Sequence, residues 1–181
     1  MKIELPENKL KKIIAFCDKR KDDGVTRGVL IKSAETGAVL VATDGSILAK
    51  YETEGNSSEN WPDDGVILLL QPIAKMLKEK EGRNLTIEGV EGQNWFKITK
   101  ADGSILMAER VEARFPNYET VIMPENAPKA TTYQPVKWEY IKLAETVINS
   151  DVYTTPKQQK PFGPMQWNRA DWTVIIMPLR S

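Results

Sequence analysis

The side chains that could do chemistry in this sequence are lysines, scattered carboxylates and a greasy carboxyl end, because the usual catalytic types are missing. The 181 residues contain no histidine and one cysteine, Cys17. That removes the commonest general base, the commonest zinc ligand and every Ser–His or Cys–His pair. An enzyme built from this chain would need clustered carboxylates for metal or acid–base work. The nearest approach to a cluster, Glu52, Glu54, Glu59, Asp63 and Asp64, falls in a Ser- and Asn-containing stretch that reads as a loop. No catalytic residue, metal ligand or cofactor is expected.

Two other constellations remain. Lys9, Lys12, Lys19 and Arg20 accompany a first amphipathic segment, and Lys75 and Lys78 a second. Cations so placed either meet a phosphate backbone without reading its sequence or form a solvated helix face, and Glu79 and Glu81 dilute the second group. Trp61, Trp95, Trp138, Trp167 and Trp172 do not interleave with lysine, so packing accounts for them better than base stacking. The chain ends Trp172-Thr-Val-Ile-Ile-Met-Pro-Leu-Arg-Ser181. Its apolar run, bounded by Asp171 and Pro178, reads as a buried strand. With Met177, Leu179 and Arg180 beyond continuous pairing, such an end either tucks into its own core or lines a cleft.

Lysine plus arginine equals aspartate plus glutamate at 25 each, so no global field draws the chain to nucleic acid or membrane. A lone cysteine excludes a disulfide framework and suits a reducing cytosol. The start, Met1-Lys-Ile-Glu-Leu-Pro6, lacks the apolar core of a signal peptide, and no run is long enough to span a bilayer. These features predict a soluble cytoplasmic protein with no membrane partner.

The elements that must position these groups follow a repeated plan. A first helix is expected from Pro6, carrying Leu10, Ile13, Ile14 and Cys17 on one face and closing near Asp22-Asp23-Gly24. Strands are expected at 28–33 and 38–43, joined across Glu35-Thr-Gly37, then at 46–51 after the turn Asp44-Gly45, and at 66–70 after the acidic loop 52–64. A second helix opens at Gln71-Pro72 with Ile73, Met76 and Leu77 together, and strands follow at 84–88, 95–99 and 104–109. The echo is literal: Ala42-Thr-Asp-Gly-Ser-Ile-Leu-Ala49 against Ala101-Asp-Gly-Ser-Ile-Leu-Met-Ala108. It implies a repeat of about 60 residues. A third unit begins at Gln134-Pro135 after a linker at 125–132, with Val136, Tyr140, Leu143 and Val147 on one stripe. A polar, proline-bearing loop at 149–164 follows, and only two strands remain, near 164–167 and 172–177.

Three stretches together resemble the bacterial DNA sliding clamp, the beta subunit of the replicative polymerase: Val41-Ala-Thr-Asp-Gly-Ser-Ile-Leu-Ala49, Arg114-Phe-Pro-Asn-Tyr-Glu-Thr-Val-Ile122 and Val174-Ile-Ile-Met-Pro-Leu-Arg180. Their order and separation also match. Residues 1–124 resemble the family's middle domain and 125–181 a shortened C-terminal domain, with no counterpart of the first domain. The resemblance implies an α+β DNA-clamp fold of repeated helix-plus-antiparallel-strand units, about one and a half clamp domains. It further implies a processivity factor, not an enzyme. Its partners would be DNA polymerase and other proteins bearing a clamp-binding motif, and duplex DNA held weakly and without sequence preference. The family's peptide pocket, carried over, would take its wall from Thr43, Gly45 and Leu48, then Pro116 and Val121. Ile175, Met177, Pro178, Leu179 and Arg180 would supply floor and lip, an apolar groove suited to a linear motif. Lys9, Lys12, Lys19, Arg20, Lys75 and Lys78 would face DNA. Departures are Ser46 and Ile47 in place of a basic pair, Thr26 in place of a large apolar residue and Thr120 in place of arginine. Two readings stay open: a homo-oligomer that encircles DNA, and a clamp-derived adaptor or decoy that binds partner peptides without doing so.

Overall fold

The structure, a computed structural model, describes residues 1–20, 24–35, 37–54, 58–131, 135–160 and 163–179. The chain opens with a strand that helix periodicity conceals. In β1 (Lys2–Pro6) the alternation of Ile3 and Leu5 inward with Lys2 and Glu4 outward is a period of two. Helix α1 (Glu7–Ile14) starts only after Pro6, which caps it in an extended conformation. It buries Leu10, Ile13 and Ile14. The helix stops at Ile14, so Cys17, Lys19 and Arg20 lie beyond it, not on its last turns as the periodicity suggested. Asp22 and Asp23, where the helix was expected to close, lie outside the described residues.

After a 3-10 turn at Val25–Arg27 come β2 (Val29–Ala34), β3 (Gly37–Thr43), β4 (Ile47–Glu54) and the two-residue β5 (Ser58–Glu59). Thr36, in the β2–β3 turn, is not among the described residues. The second unit follows as β6 (Val66–Leu69), a 3-10 helix (Gln71–Met76), β7 (Asn84–Gly89), β8 (Trp95–Lys100) and β9 (Ile105–Arg110). Where a full second helix was expected there is one short 3-10 segment that buries Ile73, with Leu77 buried just after it, and leaves Met76 exposed. The next residues, Lys78-Glu-Lys-Glu-Gly-Arg83, offer no apolar face to continue it. A 3-10 turn at Tyr118–Val121 leads to α2 (Trp138–Ile148), another 3-10 turn (Asn149–Tyr153), β10 (Met165–Arg169) and β11 (Trp172–Ile176). The third helix therefore begins three residues after Pro135; Gln134 is outside the described residues. No described helix is long and apolar enough to cross a membrane.

The strands form one antiparallel sheet in the order β10-β11-β4-β3-β2-β6-β9-β8-β7-β1-β5. The two units exchange their leading strands: β1 pairs with β7 of the second unit, and β6 pairs with β2 of the first. That exchange gives the first 110 residues an internal two-fold plan. Both α-helices pack on one face of the sheet, over a core that includes Leu40, Ile47, Phe96, Ile98, Val174 and Ile176 with Leu10, Ile13, Ala144 and Val147. The third unit joins through β11, which lies along β4 with Ile175 opposite Leu48 and Trp172 opposite Tyr51.

The stretches expected to be a linker and a polar loop tie to each other. Ala130 N–H donates to Pro156 O and Gln158 N–H to Pro128 O, both at 2.8 Å, and Lys157 bridges to Lys129 and Gln166. The pentapeptide echo also needs correcting. Thr43 faces Leu48 across the first hairpin, but Thr99 faces Ile105 across the second. The identical Asp-Gly-Ser-Ile-Leu thus enters its strand one residue out of step, and a one-residue shift flips every side chain. Ile47 is 1% exposed on the helix side; Ile105 is 58% exposed on the other.

Candidate functional site

On the face away from the helices, the first unit carries a second apolar cluster. Leu30, Val41, Leu48, Ile67, Tyr118 and Ile175 are its buried members, and Val39, Val111, Phe115, Val121 and Ile122 pack against them. Strand parity puts Leu30, Val41, Leu48 and Ile175 there, one from each of four neighbouring strands. The chain from Val111 to Met123 crosses this face as a strap. Its Phe115 and Tyr118 rings meet edge to face at 6.4 Å. Burial pushes the Tyr118 hydroxyl up to about 12, helped by Glu119 and Glu52. The far end of the strap is held by Gln166 on β10. Met123 N–H donates to Gln166 Oε1 at 2.7 Å, and Gln166 Nε2 donates to Met123 O at 3.2 Å.

The β3–β4 turn stands at one end of this face. Asp44 Oδ1 accepts from Ser46 N–H and Ile47 N–H, while Thr43 Oγ1 donates to Ile47 O at 2.7 Å and accepts from Gly45 N–H. Gly45 sits at φ +91°, in the left-handed region glycine adopts without strain. The chain's end continues past β11 beside this turn. Met177 N–H donates to Ser46 O at 2.8 Å, so pairing with the first hairpin runs one residue further than the sequence suggested, and Leu179 N–H donates to Pro135 O at 2.9 Å.

The expected groove residues therefore fall into two layers. Thr43, Leu48 and Ile175 are buried, forming one cross-strand row beneath the surface. Gly45, Pro116 and Leu179 are exposed, and Val121, Met177 and Pro178 are half-buried. Pro116 also lines a cavity of about 820 Å³ with Leu30, Ile67, Val111, Phe115 and Tyr118, rimmed by Lys32, Arg110 and Arg114. Arg180 lies outside the described residues. Ile47, which stands in place of one of the family's basic pair, lies under the sheet in the helix-side core. The contributions of Tyr118 and Gln166 were missed, since neither a buried tyrosine nor an amide contact 43 residues away leaves a local pattern.

The expected phosphate-facing cations are spread over the helix side. Lys9 stands 5.6 Å over the Tyr51 ring, and Lys12 is half-buried on α1. Lys19 and Lys75, joined by the unanticipated Lys11, line a depression of about 570 Å³ between the end of α1 and the Gln71–Met76 turn. Lys78 pairs with Asp102 at 3.3 Å, and Arg20 chelates Asp18, with Nε 3.0 Å from Oδ1. That guanidinium holds the Asp18 carboxyl below the usual carboxylate range. Lys137 and Lys142 join Lys19 and Arg20 around a second depression of about 770 Å³, which Asp44 and Glu139 also line. The surface is thus mixed in charge, capable of weak anion contact but not of a concentrated positive field. Among the described residues, no group of three or more metal-ligating side chains converges.

No protein-family model and no curated protein matches the sequence. Solved structures do match it. The pol III beta of Caulobacter crescentus superposes with a TM-score of 0.69 at 15% identity, covering 99% of this chain and 66% of that one. The DNA polymerase III subunit beta of Pseudomonas aeruginosa gives 0.68 at 16%, again covering 99% and 66%. The DnaN sliding clamp of Bartonella birtlesii, solved bound to griselimycin, gives 0.66 at 17% with the same coverage. The chain spans just under two thirds of the length of each. With its layers, its sheet order and these superpositions taken together, the chain has the α+β fold of the bacterial DNA sliding clamps.

Proposed function

We propose that the protein is a clamp-type accessory factor of DNA replication. It takes a short apolar peptide from DNA polymerase or a repair protein into the angle between tail, β3–β4 turn and strap. One juxtaposition supports this reading: Ile175 lies opposite Leu48, Met177 is bonded to Ser46, and Val121 packs on the same apolar cluster. On this reading Gly45, Pro116, Val121, Met177, Pro178 and Leu179, the exposed or half-buried residues of the three stretches, contact the peptide. Met177 offers a deformable surface that tolerates several partner sequences. The protein acts by binding and without catalysis, in the cytoplasm. Residues 1–124 serve as one clamp domain and 125–181 as a shortened second. Lys9, Lys12, Lys19, Arg20, Lys75 and Lys78 lie along the side that would face the DNA backbone, where loose contact permits sliding.

The test is binding of a fluorescent clamp-interaction peptide to the full chain and to a chain lacking Met177–Ser181. Loss of binding on deletion is expected; undiminished affinity would remove the groove. A second reading, a peptide-binding adaptor that does not encircle DNA, is favoured by the mixed charge of the helix side, where Lys78 pairs with Asp102 and Arg20 with Asp18. Retention on circular DNA that disappears when the circle is cut identifies a topological clamp. Equal binding to both forms identifies the adaptor.

A further inference from the structure

Helix α1 and the Gln71–Met76 turn bring the same residue spacing to the seam between them. Lys11, Ile14 and Ala15 stand at i, i+3 and i+4 on α1 and its cap, and Gln71, Ala74 and Lys75 repeat that spacing on the turn. With Lys19 they line the depression of about 570 Å³. Hydrogen bonds pin both ends of the seam. Gln71 Nε2 donates to Asp18 O beyond the end of α1, and Lys78 N–H donates to Glu7 Oε1 at its start, at 2.9 Å. The hollow is therefore held by the fold itself, as ligand sites commonly are.

Its lining combines cations with an apolar floor. Ile14, 4% exposed, and the methyl groups of Ala15 and Ala74 make the floor, with Lys11, Lys19 and Lys75 around it. Among the described residues, no carboxylate lines it. The cavity under the strap, by contrast, has Asp64, Glu112 and Glu119 beside its cations, and the depression beside α2 has Asp18, Asp44 and Glu139. One of the three lysines is held from outside the hollow: Lys11 pairs with Glu79 at 3.2 Å, the carboxylate side chain being 73% exposed. Three ammonium groups around one hollow repel one another, and an anion carrying two charges relieves that repulsion. An open trough floored by methyl groups also suits a flat ring laid against it, and gives a flexible alkyl chain no enclosed tunnel to fill.

We propose that this seam binds a nucleotide through its 5′-phosphate, with the dianionic monoester among Lys11, Lys19 and Lys75 and the nucleobase against Ile14, Ala15 and Ala74. A free nucleoside monophosphate and the phosphorylated 5′ end of a DNA strand offer the same chemistry. Neither is the loose duplex contact proposed for Lys19 and Lys75. An internal phosphodiester carries a single charge, and a duplex keeps its bases stacked out of reach of this floor.

The experiment is isothermal titration calorimetry of the full chain with deoxyadenosine 5′-monophosphate, inorganic phosphate and deoxyadenosine. Saturable one-to-one binding of the monophosphate is expected, roughly tenfold or more tighter than either fragment, since its two halves share one cost of immobilisation. Phosphate binding as tightly as the nucleotide overturns the proposal, because the floor then contributes nothing; absence of binding overturns it too. Lys19→Gln and Lys75→Gln should each weaken the nucleotide about threefold, the scale of screened surface charges. Glu79→Gln, which releases Lys11, should strengthen it, an effect that a purely structural role for these residues would not produce. Ala74→Leu fills the floor and should abolish the gain over phosphate. Unchanged affinity across these variants, with far-UV circular dichroism native, rejects the seam as the site. A dinucleotide bearing a 5′-phosphate separates the two sources: affinity equal to that of the monophosphate assigns a strand end, and much weaker affinity assigns the free nucleotide. Neither duplex nor clamp-interaction peptide enters these titrations, so their failure and that of the clamp reading are distinguishable.

Discussion

The side-chain amide of Gln166 answers both backbone groups of Met123, accepting from its N–H at 2.7 Å and donating to its O at 3.2 Å. This contact joins the end of the strap to β10 and so fixes where the strap crosses the outer apolar cluster. Replacing the amide with a hydrocarbon of similar size, Gln166→Leu, leaves two buried backbone groups without partners. The expected loss is about 2 kcal/mol in urea unfolding, with weaker binding of the clamp-interaction peptide. Unchanged stability would mean that water takes the place of the amide and that the contact does not hold the strap.

Ile47 and Ile105 stand in identical pentapeptides yet on opposite faces. Ile47→Thr removes apolar volume from the helix-side core and buries a hydroxyl, so a loss of about 2 kcal/mol or more is expected. Ile105→Thr changes an exposed position and should stay within about 0.5 kcal/mol in dilute, monomeric protein. Equal effects from the two, measured by chemical denaturation, would show that the hairpins share one register after all.

Beneath α1, Lys100 Nζ lies 3.4 Å from Glu7 Oε1 and donates to Met76 O at 3.0 Å, while Lys78 N–H donates to the same Glu7 oxygen. Both side chains are almost wholly buried. Lys100→Met strands the Glu7 carboxylate in the core and should cost about 3 kcal/mol. Adding Glu7→Gln should recover much of that loss, since the orphaned charge is what destabilises. A double variant no better than the single one would show that the lysine acts through packing alone.

Asp18 supplies a pH dependence. Its carboxyl is held low first by hydrogen bonds from Arg20. A depressed folded value means that the pair's stabilisation is present above the ordinary aspartate range, near ~4, and is lost as pH falls through the lowered value. Arg20→Ala should therefore raise the pH at which the Asp18 carboxyl titrates by NMR. It should also move the acid unfolding transition upward slightly, Arg20 being solvent-exposed. An unmoved titration would assign the shift to the backbone instead.

Much of this molecule was legible locally. The strands β2, β3, β4, β6, β7, β8 and β9 stand within a few residues of the positions that alternation and turn residues predict, as does α2. Local signals of this kind survive because each depends on neighbours in sequence: apolar spacing for burial, Asp-Gly for a reversal, proline for a helix start. They also misled where two periods compete. Ile3 and Leu5 announce a strand, yet the stronger helical spacing after Pro6 absorbs attention and extends the helix past Ile14.

What the sequence by itself determined was the type of most elements, β1 and the Gln71–Met76 segment excepted, the absence of histidine chemistry and the three stretches that carry the family resemblance. Only the tertiary structure decided that β1 and β6 change places, that β11 lies along β4, that Gln166 reaches Met123, and that one isoleucine of a repeated pentapeptide faces the core while its twin faces water. Those outcomes are choices of register and partner between segments far apart in the chain. A one-residue slip changes them completely while leaving composition and local periodicity as they were.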